Sequence, residues 1–154
     1  MDNGQRAALI RAYGQIEADS KSESAGRGIA MKPVAISLRS VLIVDDEELI
    51  HETLGKFISR HLNLRVLTAE RGKDAIEIYR KELPGCVFLD IGLPDINGLE
   101  VLKAIKSINP SAKVFIVSGF DSADLKKTAK DLGADQYFTK PIVFDELIRV
   151  IESV

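Results

Sequence analysis

The chain has a single cysteine, no long apolar run and little net charge, and each deficit excludes a class of protein. Because Cys86 stands alone, no disulfide can form within the chain, which fits a reducing compartment. No apolar stretch reaches the ~18 residues of a membrane span. The net charge of −2 provides no general attraction to nucleic acid or an anionic membrane. Residues 1–4 lack the basic start of a signal peptide, so we expect a cytoplasmic protein.

Short apolar runs alternate with helical patterns from Arg39 onward. Three runs, at 41–45, 86–90 and 113–119, are continuously apolar before their polar ends, as in parallel strands that helices cover on both faces. Weaker runs at 64–69 and 135–140 predict two more strands. Five helical patterns lie between and after these runs. The sequence therefore predicts an α/β fold, a doubly wound open parallel sheet whose functional groups lie at the carboxyl ends of its strands.

Residues 1–38 differ from the rest and are predicted to form an N-terminal extension to a domain at 39–154. Residues 5–18 can form a short amphipathic helix, with Leu9, Tyr13 and Ile16 on one face. Residues 19–28 are polar and read as a flexible linker. This extension carries none of the candidate site residues.

Polar side chains collect where the predicted strands end. The first strand delivers Asp45 and Asp46, the third Asp90, the fourth Ser118 and Gly119, and the fifth Lys140. Three clustered carboxylates suit a hard divalent cation such as Mg²⁺, which prefers oxygen ligands. An ammonium, a hydroxyl and a backbone N–H can bind phosphoryl oxygens. The set predicts phosphoryl transfer to an aspartate.

Four motifs in this order resemble the receiver domain of two-component response regulators. They are VDDE at 44–47, FLDIGLPDINGLE at 88–100, VSG at 117–119 and YFTKP at 137–141. The resemblance covers residues 39–154. It implies a flavodoxin-like (βα)5 sheet in the order 2-1-3-4-5, and a protein that accepts a phosphoryl group from a histidine kinase or phosphotransfer protein.

The resemblance also implies residue roles. Asp90 would be the phosphoacceptor. Asp46, Asp90 and the Gly92 carbonyl would ligate Mg²⁺ directly, and Asp45 would assist, largely through water. The protein would slowly lose its own phosphoryl group and would not turn over an external substrate as an enzyme does.

Further implied roles concern the phosphoryl group and the switch. Ser118 and Lys140 would contact the phosphoryl group, helped by the Gly119 N–H. Tyr137 would reorient when Ser118 moves, changing the surface of the fourth helix, fifth strand and fifth helix. The Lys140–Pro141 bond would be cis. A phosphorylation-dependent homodimer is one further partner that this interpretation allows.

One position departs from the common family pattern. Gly92 stands where many receivers carry a polar side chain that helps to control attack of water on the acyl phosphate. Phe120, two residues after Ser118, is a bulky neighbour that can shield the bond instead. The sequence leaves open which effect prevails.

Other interpretations of the same residues are weaker. A flavin carrier of this fold needs a Ser/Thr/Gly-rich loop after the first strand, and here that loop is acidic. An aspartyl-phosphate hydrolase would normally carry a second aspartate at position 92. A docking domain independent of phosphorylation would not need the three aspartates. We expect Glu47 and Glu48 to be first-turn helix carboxylates, and Cys86 to be a buried core thiol.

Overall fold

The computed structural model describes residues 40–154, which form one parallel sheet flanked by helices. The predicted amphipathic segment at 5–18 lies outside the described residues. Strands and helices alternate without exception along residues 40–154. In chain order they are β1 (Ser40–Val44), α1 (Glu48–His61), β2 (Arg65–Ala69), α2 (Gly72–Glu82), β3 (Cys86–Leu89), α3 (Gly98–Ile108), β4 (Val114–Ser118), α4 (Ala123–Asp131), β5 (Gln136–Thr139) and α5 (Phe144–Glu152).

The sheet order is β2-β1-β3-β4-β5, and every neighbouring pair is parallel. The predicted α/β class and strand order are confirmed. From β1 the chain moves outward to β2, crosses back to β3 and then continues outward through β4 and β5. The strand order therefore reverses between β1 and β3. In an open parallel sheet this reversal leaves a crevice at the carboxyl ends of the strands.

Both faces of the sheet are buried, which explains the unbroken apolar runs. Alternate residues of β1 belong to separate clusters: Val41 and Ile43 pack towards α1 and α5, and Leu42 and Val44 towards α2 and α3. All five residues of β1 are buried. Since side chains of a strand alternate between faces, a strand covered on both sides needs apolar residues at every position.

The strand register aligns the polar residues that follow the strands. Val44 pairs with Leu89, so Asp45 and Asp90 leave the sheet side by side. Their backbone N–H groups continue the ladder, donating to Ala69 and Val44 respectively. Ser118 pairs with Thr139, and the N–H of Lys140 donates to the Ser118 carbonyl at 2.8 Å. The register therefore places all four strand ends on one edge.

Helices in residues 40–154 are all too short or too polar to cross a membrane. The most apolar faces are turned to the sheet. In α5, for example, the buried residues are Leu147, Ile148, Val150 and Ile151. The packing of these faces, more than helix propensity, stabilises such short helices.

Candidate functional site

The carboxyl edge of the sheet holds three aspartates whose carboxylate oxygens lie within 4.8 Å of one another: Asp45, Asp46 and Asp90. Asp45 is 2% exposed and Asp90 7% exposed, whereas Asp46 faces solvent. Like charges this close repel one another, and burial in a low dielectric strengthens the repulsion. A stable arrangement therefore requires cations nearby.

Lys140 supplies the first positive charge. Its Nζ donates to Asp45 Oδ2 at 2.6 Å and to Asp90 Oδ2 at 3.4 Å, so one ammonium bridges both buried carboxylates. The Lys140 side chain is 15% exposed. The Lys140–Pro141 bond that follows is cis, in agreement with the resemblance.

Glu47 is a third partner of this ammonium that the sequence did not predict. Its Oε1 accepts from Lys140 Nζ at 2.9 Å, although the side chain is 58% exposed. Glu47 occupies the N-cap position of α1 without capping it through its side chain. The prediction that Glu47 is only a first-turn carboxylate is therefore wrong. The available signal was that four consecutive carboxylates, at 45–48, share an edge of the predicted sheet with a single lysine, Lys140.

The charges at the site do not balance. Burial raises the pKa of Asp45, and the neighbouring Asp90 raises it further, while hydrogen bonds from Lys140 and the Glu47 N–H act in the opposite direction. Burial alone would lower the pKa of Lys140, but its hydrogen bonds to Asp45 and Glu47 hold that pKa above the usual value. The shift of Asp45 thus comes mainly from burial, and that of Lys140 from the carboxylates around its ammonium, which outnumber the cations at the site. The site favours one more cation.

A magnesium ion fits this donor set. The three aspartates provide hard oxygen ligands at one point, and few protein ligands suffice because Mg²⁺ retains waters. Within residues 40–154 this is the only group of three or more acidic, histidine or cysteine side chains close enough to hold a metal ion.

Ser118 ends β4 and Gly119 follows it, at the same edge of the sheet as these carboxylates. Ser118 is fully buried, and its Oγ accepts from the Phe120 N–H at 3.2 Å. Gly119 is exposed, with no atom within 4 Å of the place where a Cβ would stand. The hydroxyl proton of Ser118 and the N–H of Gly119 belong to the same edge as Asp90.

Gly92 and Phe120 face each other across the site. A Cβ on Gly92 would lie 3.5 Å from Cε2 of Phe120, and the Phe120 ring is 55% exposed. The Gly92 N–H approaches Asp90 Oδ1 at 3.3 Å. The phenylalanine ring thus stands over the space that a side chain at position 92 would use.

Tyr137 on β5 is half-buried and attached to the loop after β4. Its hydroxyl donates to the Phe120 carbonyl at 2.5 Å. The Lys126 ammonium of α4 lies 5.7 Å from its ring centroid, within range of a cation–π contact. The ring therefore connects β5, α4 and the loop that follows Ser118.

Asp95 is a residue to which the sequence analysis assigned no role. It accepts hydrogen bonds from two backbone N–H groups at the start of α2. The sequence did carry a signal for this contact: the residue before α2 is Arg71, whose side chain has no acceptor for the first N–H groups of the helix, so another residue must supply one.

A doubly wound sheet with clustered aspartates, a lysine and a serine at its switch point defines a class of phosphoryl-accepting, metal-dependent domains. Comparison with known proteins identifies the family. Residues 41–152 match the model of the response regulator receiver domain, and the chain belongs to that family. Its relatives are two-component response regulators, and the pocket of Asp45, Asp46 and Asp90 fits the phosphoacceptor site of such domains.

Individual relatives show how much is shared. Sporulation initiation phosphotransferase F of Bacillus subtilis is 34% identical over 107 residues, which are 70% of this chain and 86% of that protein. A cyclic di-GMP phosphodiesterase of Thermotoga maritima is 34% identical over 111 residues, which are 72% of this chain but 29% of that protein. The activity in the latter name therefore belongs to a protein of which this chain matches less than a third.

Among solved structures, the Borrelia burgdorferi CheX–CheY–BeF3–Mg²⁺ complex includes a chain similar to this one. The TM-score is 0.67 at 27% identity, covering 74% of this chain and 87% of that one.

Proposed function

We propose that Asp90 accepts a phosphoryl group from the phosphohistidine of a histidine kinase or phosphotransfer protein. The P–N bond of the donor breaks, a P–O bond to the Asp90 carboxylate forms, and the histidine nitrogen leaves with the electron pair. The observation that carries this proposal is the Lys140 ammonium, 3.4 Å from Asp90 and 2.6 Å from Asp45 at a switch point rich in carboxylates.

Asp46, Asp90 and the carbonyl of Gly92 would hold Mg²⁺ directly, with Asp45 assisting through water. When bound, Mg²⁺ would neutralise the carboxylates and the charge of the transferred group. The support is the excess of acidic oxygens at one point and the solvent-facing Asp46. The similar Borrelia complex contains Mg²⁺ and BeF3, which supports a magnesium site in this chain.

Lys140, Ser118 and the Gly119 N–H would bind the oxygens of the phosphoryl group. The ammonium of Lys140 would exchange part of its contact with Asp90 for a phosphoryl oxygen. The Ser118 hydroxyl can rotate to donate while its oxygen still accepts from Phe120. These groups develop their strongest contacts as charge builds on the transferred oxygens.

Phosphorylation would act as a switch through Ser118 and Tyr137. Drawing Ser118 towards the phosphoryl group would move Phe120, whose carbonyl accepts from the Tyr137 hydroxyl. The surface of α4, β5 and α5 would then change its population of states. Amide shifts of α4 and β5 on adding beryllofluoride and Mg²⁺ test this: Tyr137→Ala should reduce them, and unchanged shifts would exclude the Ser118–Tyr137 link.

The proposal also includes the extent of the domain, its location and its partners. The domain would span residues 39–154, with 1–38 as an extension that takes no part in the chemistry. We propose a cytoplasmic regulator that works by protein contact, without nucleic acid binding by this chain alone and without catalysis on an external substrate. Phosphorylation would favour a homodimer if the switched surface is complementary to itself.

Phosphorylation by acetyl phosphate tests the proposal. With Mg²⁺, intact mass should rise by one phosphoryl group, and chelator or Asp90→Asn should abolish the gain. Asp131→Asn is a matched control, because Asp131 is an exposed carboxylate paired with Lys127 on α4. An unchanged wild-type mass would count against the function, and an Asp90→Asn protein that still gains the group would assign another acceptor.

A further inference from the structure

Asp95 lies in the β3–α3 loop (residues 90–97), and both of its carboxylate oxygens are committed to the start of α2. Oδ1 accepts from the Gly72 N–H at 2.7 Å and Oδ2 from the Lys73 N–H at 2.9 Å. These donors precede Asp95 by 23 and 22 residues. The hydrogen bond from Lys73 is the main cause that holds the pKa of Asp95 at about 2, so the carboxylate stays ionised at neutral pH.

The helix α2 depends on this contact because it has no cap of its own. Its N-cap residue, Arg71, makes no side-chain capping bond. The first N–H groups of a helix have no intrahelical acceptor, and an anionic carboxylate is among their best partners. The neighbouring Ile96 packs so closely that a Cβ on Gly72 would stand 2.5 Å from its Cγ1. Loop and helix are thus fitted to each other.

The same loop carries Gly92. The first residue of the loop, Asp90, is held to β1, because its N–H donates to the Val44 carbonyl at 2.9 Å. Its far end is anchored where the Gly98 N–H donates to the Ile91 carbonyl at 2.9 Å. Between them Gly92 is exposed, and glycine has the widest backbone freedom of any residue. The Leu93 N–H shares a peptide plane with the Gly92 carbonyl and donates to the Ile91 carbonyl at 3.0 Å. The direction of the Gly92 carbonyl is therefore set relative to the loop, and it is correct for a metal ion only if the loop itself is held in place.

We propose that Asp95 is a positioning residue of the metal site, tying the β3–α3 loop to α2 and so holding the Gly92 carbonyl in the direction that Mg²⁺ requires. The proposal rests on the proposed function in one respect, the assignment of that carbonyl as a ligand. Residues that orient a metal ligand from outside commonly contribute a factor of ~10 to 100 to metal affinity. Asp95 would contribute to Mg²⁺ affinity by a factor of this size without touching the ion.

The test is calorimetric titration of the full chain with Mg²⁺ alone. Asp95→Ala should weaken Mg²⁺ binding by about 10-fold or more. Asp95→Asn keeps one acceptor oxygen and should fall between wild type and alanine, which keeps the test valid if the alanine variant folds poorly. In the metal-free protein, hydrogen exchange at the Gly92 amide should be faster in both variants.

Two controls separate positioning from general weakening. Glu77→Gly lowers helix propensity on the exposed face of α2 without touching the loop, and should bind Mg²⁺ as the wild type does. Asp46→Ala should lose Mg²⁺ binding. Wild-type affinity in Asp95→Ala, or an equal loss in Glu77→Gly, would overturn the positioning role. Unchanged affinity in Asp46→Ala would overturn the metal assignment itself, and the positioning role with it.

Discussion

Gly98→Ala tests how closely the fold encloses the proposed phosphoacceptor. A Cβ on Gly98 would stand 2.1 Å from the Asp90 carbonyl oxygen and 2.7 Å from the Ile91 Cα. Real Cβ atoms essentially never come closer than 3.0 Å, so the two segments must separate by about 0.9 Å, the difference between 3.0 and 2.1 Å. Both obstacles are backbone atoms, so no side chain can rotate away to relieve the overlap.

Two free-energy terms oppose each other in this variant. Alanine is favoured over glycine by up to ~1 kcal/mol inside a helix, and Gly98 begins α3. Overpacking costs ~1–3 kcal/mol, towards the upper end or beyond it when backbone must move. We expect a net loss of about 2 kcal/mol and a melting temperature lower by roughly 8 °C. A displacement near 1 Å should also slow phosphorylation by about 100-fold.

Urea denaturation and the rate of phosphorylation by acetyl phosphate measure the two effects. Gly55→Ala is the matched control: the residue lies within α1, and its Cβ would meet Val66 Cγ1 at an ordinary 3.6 Å. That variant should be as stable as wild type or more so, with the wild-type rate. If Gly98→Ala behaves in the same way, the close contact at Asp90 does not constrain the site.

Three further predictions use other observations. Burial and the neighbouring Asp90 raise the pKa of Asp45 in the folded state, so the free energy of unfolding falls as pH rises from 3.8 through the folded pKa. Asp45→Asn removes this charge and should raise the melting temperature at neutral pH in chelator. An unchanged or lower melting temperature would contradict this. Phe120→Ala should shorten the acyl-phosphate half-life by exposing Asp90 beside Gly92, measured as loss of the phosphoryl group after donor removal; an equal half-life would assign protection elsewhere. Burial raises the pKa of Cys86 to about 12, so a thiol reagent at pH 8 should react with it only after unfolding; rapid reaction in the native state would show an open core.

Much of the site could be predicted from the sequence because parallel strands end on one edge. The apolar runs before Asp45, Asp90 and Ser118 identified buried strands, and whatever follows such strands must lie together at their carboxyl ends. The spacing of apolar and polar residues is local information, and a regular sheet converts it into proximity. The prediction of Cys86 as a buried thiol is confirmed for the same reason, since it begins the covered strand β3.

Tertiary structure decided the contacts that regular geometry does not imply. Glu47 looked like a helix-start carboxylate, and only the side-chain placement of Lys140, 93 residues later, engages it in an ion pair. Asp95 looked like a loop residue, and only the folded loop carries it to the start of α2. The need for glycine at position 98 appears only when α3 meets the Asp90 backbone. Each of these contacts depends on the path of a loop or on the rotamer of a long side chain. Packing between segments that are distant in the sequence selects that path or rotamer, so the local spacing of apolar residues does not encode the contact.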